Sequence, residues 1–311
     1  MIGAGDVWIV SATTVVARGV AFAAIVLATG AGSFRWAVLP RWPIDVKASR
    51  RYRAFAAAAG AWAAAAVVVA APGRLYLQAR SLVDVTDPVT PMMANVLRTT
   101  WGHGWLLQLA SAVAAVAGWL LVRQHVLGAW LLAMTATLLL ALSPALMGHA
   151  VAADRLLVVS LLADWLHVLG AGAWIGALSL MTIVVVSMNE RSAGNQSAAD
   201  LIAAFHPVAL GAATLLVATG VVSLLLRVER VGDLFHSSYG AILGVKLALT
   251  GGVMALGWRH ARHGEPLVRA VGPAAVRRSL MAETIVAAVV IGVTAVLVGT
   301  APPMPDMPGA S

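Results

Sequence analysis

Long apolar runs joined by short polar connections set the strongest limit on what this chain can fold into. A helix needs about 20 apolar residues to cross the ~30 Å hydrocarbon core of a bilayer. Backbone polar groups in lipid must bond to one another, and runs of this length exclude a β-barrel, so we expect an all-α, polytopic transmembrane helix bundle. The sequence predicts about eight spans, near residues 7–34, 54–71, 104–122, 126–147, 156–187, 201–226, 239–258 and 280–299.

The composition favours a membrane protein over a soluble one. The chain of 311 residues is 60% hydrophobic and 11% charged, whereas an ordinary soluble domain is about 25% charged. We therefore interpret residues 1–311 as a single integral membrane domain that has the lipid bilayer as a partner. No nucleic-acid partner is expected despite the net charge of +8. The sequence has no cysteine and no Walker-type phosphate-binding motif, so we expect neither thiolate metal sites nor an enzyme.

The distribution of basic residues predicts how the bundle is oriented. Thirteen Lys and Arg residues lie in connections on one side of the predicted spans and six lie on the other. By the positive-inside rule the thirteen face the cytoplasm, and both termini then lie outside it. The first residues, MIGAGDVWIV, have no basic stretch before the apolar run, so no cleaved signal peptide is expected. The long outer connection at 72–103 could form a short re-entrant or interfacial segment over the bundle, and the proline-rich residues 300–311 are predicted to be a flexible tail.

Four charged residues lie inside predicted spans, where insertion scales put the cost of a charge at about 2.5–3.5 kcal/mol. They are Arg18, Asp164, Lys246 and Glu283. Asp164 and Lys246 are predicted at a similar depth, roughly 10 Å from the outer surface at 1.5 Å per residue. We therefore expect Lys246 to be the charge partner of Asp164. Such a pair either holds two helices together or marks a functional site.

Histidine, methionine and one aspartate indicate a metal pathway. Met147, His149, Asp164 and His167 descend from the outer surface, with the last two on one helix face at i, i+3 spacing. His103 is predicted at the outer rim. Thioether and imidazole ligands suit copper, and the aspartate could coordinate the ion, orient the neighbouring imidazole or balance charge. Each histidine could equally be an interfacial residue or a hydrogen-bond partner between helices.

Other histidines and methionines are weaker metal-ligand candidates. His206 lies near the cytoplasmic start of the sixth span, and Met304 and Met307 lie in the outer tail. His260 and His263 follow the seventh span beside several arginines. We interpret this pair as part of a solvated basic loop, with a metal exit site as the alternative.

Small residues follow His167 along the fifth span. Gly172 and Gly176 form a GxxxG motif, which permits close approach of a neighbouring helix. Trp174 lies seven residues beyond His167, on roughly the same face, and is predicted to wall off the site.

An ordered set of residues across 145–302, half of the chain, resembles the CopD family of bacterial copper-resistance membrane proteins. The set comprises the GHA at 148–150, Asp164, His167, Trp174, Gly176, Phe205, Thr219, Gly220, Tyr239, Gly240, Leu243, Lys246, Glu283 and Pro302. The sequence departs from the pattern after Trp174, where a Gly-Gly pair is expected, and at GWRHAR, where an Asn-Arg is expected. The first four spans are similar only in number, length and apolar character.

The resemblance implies a multi-pass bacterial inner-membrane protein that handles copper, usually interpreted as uptake from periplasm to cytoplasm. Both termini and the tail would then be periplasmic. Trp174, Tyr239 and Glu283 would support the site. The resemblance also implies a periplasmic copper-binding donor similar to CopC, which would be a separate protein because this sequence contains no such module.

Three functional hypotheses follow. The preferred one is copper permeation through a pathway lined by His, Met and Asp. The second is a b-type haem electron carrier, in which His103 and His149 would ligate one haem from neighbouring helices. The third is a copper-binding protein that assists assembly of another membrane complex or senses the metal without transporting it.

Overall fold

The computed structural model describes residues 12–84, 86–148, 156–188, 192–228 and 231–301, and within these ranges it contains helices and no strand. The α-helices are α1 (Ala12–Ser33), α2 (Val46–Arg80), α3 (Val89–Leu97), α4 (Thr100–Arg123), α5 (Ala129–Leu146), α6 (Leu157–Ala171), α7 (Ala177–Ser187), α8 (Ser192–Arg227), α9 (Ser238–Arg259), α10 (Glu265–Val271) and α11 (Ala274–Leu297). Single π-helical turns follow α1 (Phe34–Val38), α6 (Gly172–Gly176) and α9 (His260–Gly264). Short 3₁₀ segments lie at Leu39–Arg41 and Val231–His236.

Eight helical segments are long and apolar enough to cross a membrane, which confirms the predicted all-α bundle. They are Ala12–Arg41, Val46–Arg80, Thr100–Arg123, Ala129–Leu146, Leu157–Ser187, Gln196–Arg227, Ser238–Val271 and Ala274–Leu297. The long fifth span is divided by its π turn into α6 and α7. The protein is therefore a multi-pass membrane protein.

Three spans extend well beyond their predicted ends. The first continues past residue 34 through a π turn to Arg41. α2 continues through Pro72 to Arg80, because a proline inside a membrane helix costs few backbone bonds when neighbouring helices replace them. The seventh span continues past residue 258 through a π turn to Val271. These extensions bring polar side chains into helices where the sequence predicts loops.

Side-chain caps define where several spans begin. The Asp45 carboxylate accepts a hydrogen bond from the Ala48 amide at 2.8 Å at the start of α2. Ser237 caps α9 by accepting from the Gly240 amide at 3.1 Å. Such caps satisfy backbone donors that the first helical turn leaves unpaired.

The start of α1 and the end of α11 lie at the same end of the bundle. Arg18 donates from Nη1 to the Ala295 carbonyl at 2.9 Å, and a Cβ built at Gly19 would lie 3.6 Å from the Ala295 Cβ. We call this end, which also holds the end of α2 and the start of α4, the outer end, after the orientation that the sequence predicts. The opposite end is called the inner end.

The GxxxG motif brings α1 against the fifth span, as expected. A Cβ built at Gly30 would lie 2.3 Å from the Gly176 carbonyl carbon, and one built at Gly172 would lie 2.4 Å from the Thr29 Cβ. Only glycine permits backbones to approach so closely. This contact fixes the middle of the fifth span, immediately beyond the helical turns that carry Asp164 and His167.

The short helix α3 covers part of the outer end. It packs with α2 and α4 in a cluster that includes Leu75, Val96 and Trp105. The outer connection therefore contains a nine-residue helix that packs over the bundle.

Candidate functional site

Asp164 is held by two residues of α8. Arg227 donates from Nη2 to Asp164 Oδ2, and Ser223 Oγ donates to Asp164 Oδ1 at 3.0 Å. The Asp164 and Arg227 side chains are 20% and 24% exposed, so this ion pair lies partly inside the bundle. The prediction that Lys246 is the direct partner of Asp164 is wrong. Arg227, the last residue of α8, occupies that position.

Two residues of α9 flank this ion pair. Lys246 and Tyr239 both interact electrostatically with Asp164 and Arg227. Tyr239 is buried at 9% exposure. Among the described residues Lys246 forms no ion pair with Asp164, so it adds positive charge near the carboxylate without contacting it. The predicted depth of Lys246 is thus consistent with the structure, although the predicted contact is not.

His167 lies one helical turn beyond Asp164 and also faces α8. Its Nδ1 is 3.0 Å from Thr219 Oγ1, and a Cβ built at Gly220 would lie 3.6 Å from His167 Cε1. The Thr219 hydroxyl donates to the Leu215 carbonyl at 2.7 Å, so it accepts from the Nδ1–H of His167. We therefore assign the neutral tautomer whose lone pair is on Nε2, which is the form that binds a metal ion.

Together these side chains form the outer cluster: Asp164, His167, Thr219, Ser223 and Arg227. Two helices supply all five residues, and α9 adds charge beside them. The contact with Thr219 fixes the orientation of the imidazole. The arrangement places one imidazole and one carboxylate on neighbouring turns of α6.

A second group of polar side chains lies toward the inner end, beside a cavity of about 190 Å³. Its walls come mainly from the fifth to eighth spans and are mostly apolar. The lining residues that carry polar, aromatic or thioether groups include Trp174, Met181, His206, Met254, His260 and Glu283. Trp174 lines this inner cavity and lies within the π turn at Gly172–Gly176. The expectation that Trp174 walls off His167 is not supported by this placement.

Glu283 is the most deeply buried carboxylate of the described residues, with 2% exposure. Its Oε2 lies 2.8 Å from His260 Nδ1, and His260 Nε2 lies 2.7 Å from Ser279 Oγ. The interpretation of His260 as part of a solvated loop is wrong, since its side chain is only 12% exposed. It belongs to the π turn that continues the seventh span, whereas His263 is exposed.

The remaining predicted metal ligands lie apart from the outer cluster or outside the described residues. Met147 packs beside α3 and α4, where a Cβ built at Gly104 would lie 2.7 Å from its Cγ. His103 is exposed on α4, and His206 is exposed on α8 beside the inner cavity. The structure therefore does not bring Met147 into the contacts that hold Asp164 and His167, because its helix presents it to a different neighbour.

Three of the predicted ligands, His149, Met304 and Met307, lie outside the described residues. Within the described ranges, no group of three or more His, Asp or Glu side chains is arranged to hold a metal ion. The outer cluster thus has fewer ligands than a closed structural metal site, which commonly uses four.

Sequence comparisons place these features in a family. A family model described as copper resistance protein D matches residues 199–297, and one described as copper resistance protein D-like, N-terminal domain, matches residues 9–157. The copper transport protein CutJ of Bacillus subtilis (strain 168) is 26% identical over 170 residues, which is 53% of this chain and 31% of that relative. This chain therefore matches about a third of the length of that relative. No solved structure matches the chain significantly.

Proposed function

Because the chain belongs to the copper resistance protein D family, we propose that it handles copper and moves copper ions across the bacterial inner membrane. The observation that carries this proposal is the contact of His167 Nδ1 with Thr219 Oγ1 at 3.0 Å, from which we assign the tautomer that leaves the Nε2 lone pair for a ligand. Asp164 stands one turn away on the same helix. Copper in either oxidation state accepts imidazole nitrogen.

The small number of ligands suits an ion in transit. A conducting site must bind the ion well enough to admit it and weakly enough to release it. One imidazole and one carboxylate meet that requirement better than the four ligands of a closed site. In this proposal copper is the transported ion, and the outer cluster is a transient binding site on its path.

Arg227 and Lys246 would control the net charge of the outer cluster. In the resting arrangement Arg227 neutralises Asp164, which lowers the cost of a carboxylate in the bundle. An arriving copper ion would compete with Arg227 for the carboxylate. Lys246 would favour release of the ion, since its positive charge lies near the site.

The inner cavity would receive the ion after the outer cluster. Met181, Met254 and His206 line it with thioether and imidazole groups, which suit Cu(I). The carboxylate of Glu283, hydrogen-bonded to His260, supplies negative charge at the same wall. The route then runs along the fifth span from Asp164 past Trp174 toward the inner end.

We further propose that transport runs from periplasm to cytoplasm. A membrane potential that is negative inside favours cation entry by about 2.3 kcal/mol per charge per 100 mV. The donor would be a periplasmic copper-binding protein similar to CopC. Met147 and His103 lie at the outer end, where such a donor would dock.

The test is copper flux into vesicles that contain the purified protein. A membrane-impermeant Cu(I) chelator trapped inside the vesicles reports entry as a change in absorbance. His167→Ala and Asp164→Asn should each reduce the initial rate at least about tenfold, the loss typical when a group that orients or binds a metal is removed. His236→Ala removes an exposed imidazole outside the outer cluster and the inner cavity, and it should leave the rate unchanged.

Each outcome of this assay separates two of the hypotheses. Equal flux in the wild type and both site variants would contradict the proposed pathway. Copper binding without flux in the wild type would favour the assembly or sensing hypothesis over transport.

A further inference from the structure

Two arginines share a polar cleft at the outer end, away from the outer cluster. Arg18 of α1 and Arg74 of α2 line it together with Trp101 of α4. The other lining residues are Thr14, Ala17, Leu77 and Gln78. Nothing in the proposed copper route uses these side chains.

Neutral acceptors hold both guanidinium groups in place. Arg18 Nη1 donates to the Ala295 carbonyl at 2.9 Å. Arg74 Nη1 donates to Gln108 Oε1, and Gln108 Nε2 donates to Ser143 Oγ at 2.9 Å. Gln108 is fully buried, so its hydrogen bond holds the Arg74 side chain in a fixed position. These contacts position the two cations without neutralising either one.

The charge of this pair is not balanced within the described part of the chain. Neither Arg18 nor Arg74 forms an ion pair with a described carboxylate, whereas Asp164 and Glu283 both have partners. The two guanidinium groups are close enough to repel each other. An arginine carries five N–H donors, so most of the donors remain for a ligand after these contacts.

The cleft lies close to the end of α2 and the start of α4. Arg74 is six residues before the end of α2, so it lies roughly 9 Å from that helix end. Trp101 stands at the beginning of α4, and tryptophan is enriched where membrane helices meet the headgroup layer.

We propose that this cleft binds a phosphate group through the side chains of Arg18 and Arg74. Guanidinium groups match phosphate oxygens through paired hydrogen bonds, and arginine is favoured for that reason at phosphate sites. The phosphate can belong to an anionic phospholipid headgroup or to inorganic phosphate. In either form it would tie α1 to α2 and offset the two positive charges.

The experiment uses the full-length protein purified in a neutral detergent and delipidated. Native mass spectrometry with added phosphatidylglycerol, against phosphatidylcholine at the same concentration, reports bound lipid. Thermal unfolding in sodium phosphate, against sodium chloride at equal ionic strength, tests inorganic phosphate. We expect Arg18→Gln and Arg74→Gln each to weaken phosphatidylglycerol binding by about tenfold, the effect of losing one charge-assisted contact. Arg98→Gln removes an exposed outer arginine and should bind like the wild type.

The outcomes distinguish the sources and can overturn the proposal. Preference for phosphatidylglycerol that depends on Arg18 and Arg74 assigns a lipid headgroup, and stabilisation by phosphate alone assigns the inorganic ion. If a glutamine variant does not fold, Arg18→Lys replaces it. This variant keeps the positive charge but loses the paired N–H donors of the guanidinium group, and it should still bind phosphatidylglycerol more weakly than the wild type. Equal binding of both lipids together with no effect of phosphate would overturn the proposal. Asp6 lies outside the described residues and is tested by Asp6→Asn in the same assays. A loss of stability in that variant would also overturn the proposal.

Discussion

Arg227, the last residue of α8, donates a hydrogen bond to Asp164 of α6 across 63 positions of the chain. Ser223, one turn earlier on α8, donates to the other carboxylate oxygen at 3.0 Å. The carboxylate therefore has a partner on each oxygen, and both partners come from one helix. This explains how a bundle that is mostly apolar tolerates an aspartate in its fifth span, since a charge in lipid is costly unless it is paired.

Replacing Arg227 should reveal the cost of an unpaired Asp164 carboxylate inside the bundle. In Arg227→Leu, Asp164 keeps only the hydrogen bond from Ser223. We expect the variant to lose about 1–3 kcal/mol of stability, because a partly buried charge loses its partner. Thermal unfolding in detergent measures the loss. Adding Asp164→Asn should recover part of it, and a loss that is identical with and without the second substitution would contradict the pairing.

The tautomer of His167 provides a second prediction. Thr219→Val removes the acceptor that holds Nδ1–H, so Nε2 is no longer fixed as the metal-binding nitrogen. Copper affinity should fall by about tenfold, as it does when the groups that orient a ligating histidine are lost. Thr219→Ser keeps the oxygen and should keep most of the affinity. Competition against a Cu(I) chelator measures both variants, and wild-type affinity in Thr219→Val would rule out this role.

The fold was predictable because span length and hydropathy leave few alternatives. Eight apolar runs gave eight spans, and the even number places the described ends of α1 and α11 at the same end of the bundle. Span ends were harder to predict. A proline and a polar stretch indicated ends at residues 71 and 258, yet the helices continue because the bundle supplies packing and partners beyond them.

The candidate site was predictable in depth but not in detail. Asp164 and Lys246 lie at a similar level, as the sequence indicates, but depth alone does not state which side chain reaches the carboxylate. Arg227 was counted among the loop residues, since it follows the last apolar residue of its span. The pairing of Glu283 with His260 was missed for the same reason, because His260 follows the predicted end of the seventh span.

A π turn also escapes sequence reasoning. The turn at Gly172–Gly176 has no residue pattern that separates it from an ordinary helix rich in glycine. Trp174 lies within this turn and lines the inner cavity, and a π turn shifts the helical phase of the residues that follow it. Spacing rules that assume an uninterrupted helix therefore fail beyond Ala171.

The close approach of α1 to this turn gives a third prediction. Gly176→Ala places a methyl group where a Cβ would lie 2.2 Å from the Val26 carbonyl oxygen. The two backbones must separate, so we expect a large fall in unfolding temperature or a failure to fold. Gly292→Ala is the matched control, since nothing lies within 4 Å of its Cβ position. It should be neutral or stabilising by up to about 1 kcal/mol, and similar behaviour of the two variants would contradict the packing.

An absorption spectrum of the purified protein tests the haem hypothesis. Bis-histidine ligation requires two imidazoles from neighbouring helices to face one cofactor. His103 is exposed on α4, and His149 lies outside the described residues. We expect copper to bind under reducing conditions without a Soret band. A Soret band that shifts on reduction would instead favour haem.

Glu283 offers the sharpest comparison between a buried and an exposed carboxylate in the same region of the chain. Glu283 is 2% exposed and contacts His260, whereas Glu265 is 38% exposed and pairs with Arg269 at i, i+4 spacing. Glu283→Ala leaves the His260 imidazole without its carboxylate partner beside the inner cavity. We expect a loss of about 2–4 kcal/mol, because a buried polar group is left unsatisfied and a small void is created.

The exposed pair should respond weakly, since solvent screens it and such pairs contribute about 0.3–0.5 kcal/mol. Glu265→Ala should therefore have an unfolding temperature near that of the wild type. Glu283→Gln keeps the shape and an oxygen acceptor, so it should fall between the two alanine variants. If Glu283→Ala were no less stable than Glu265→Ala, the contact with His260 would contribute nothing to the fold. Glu283 would then have to be explained by its place beside the cavity alone.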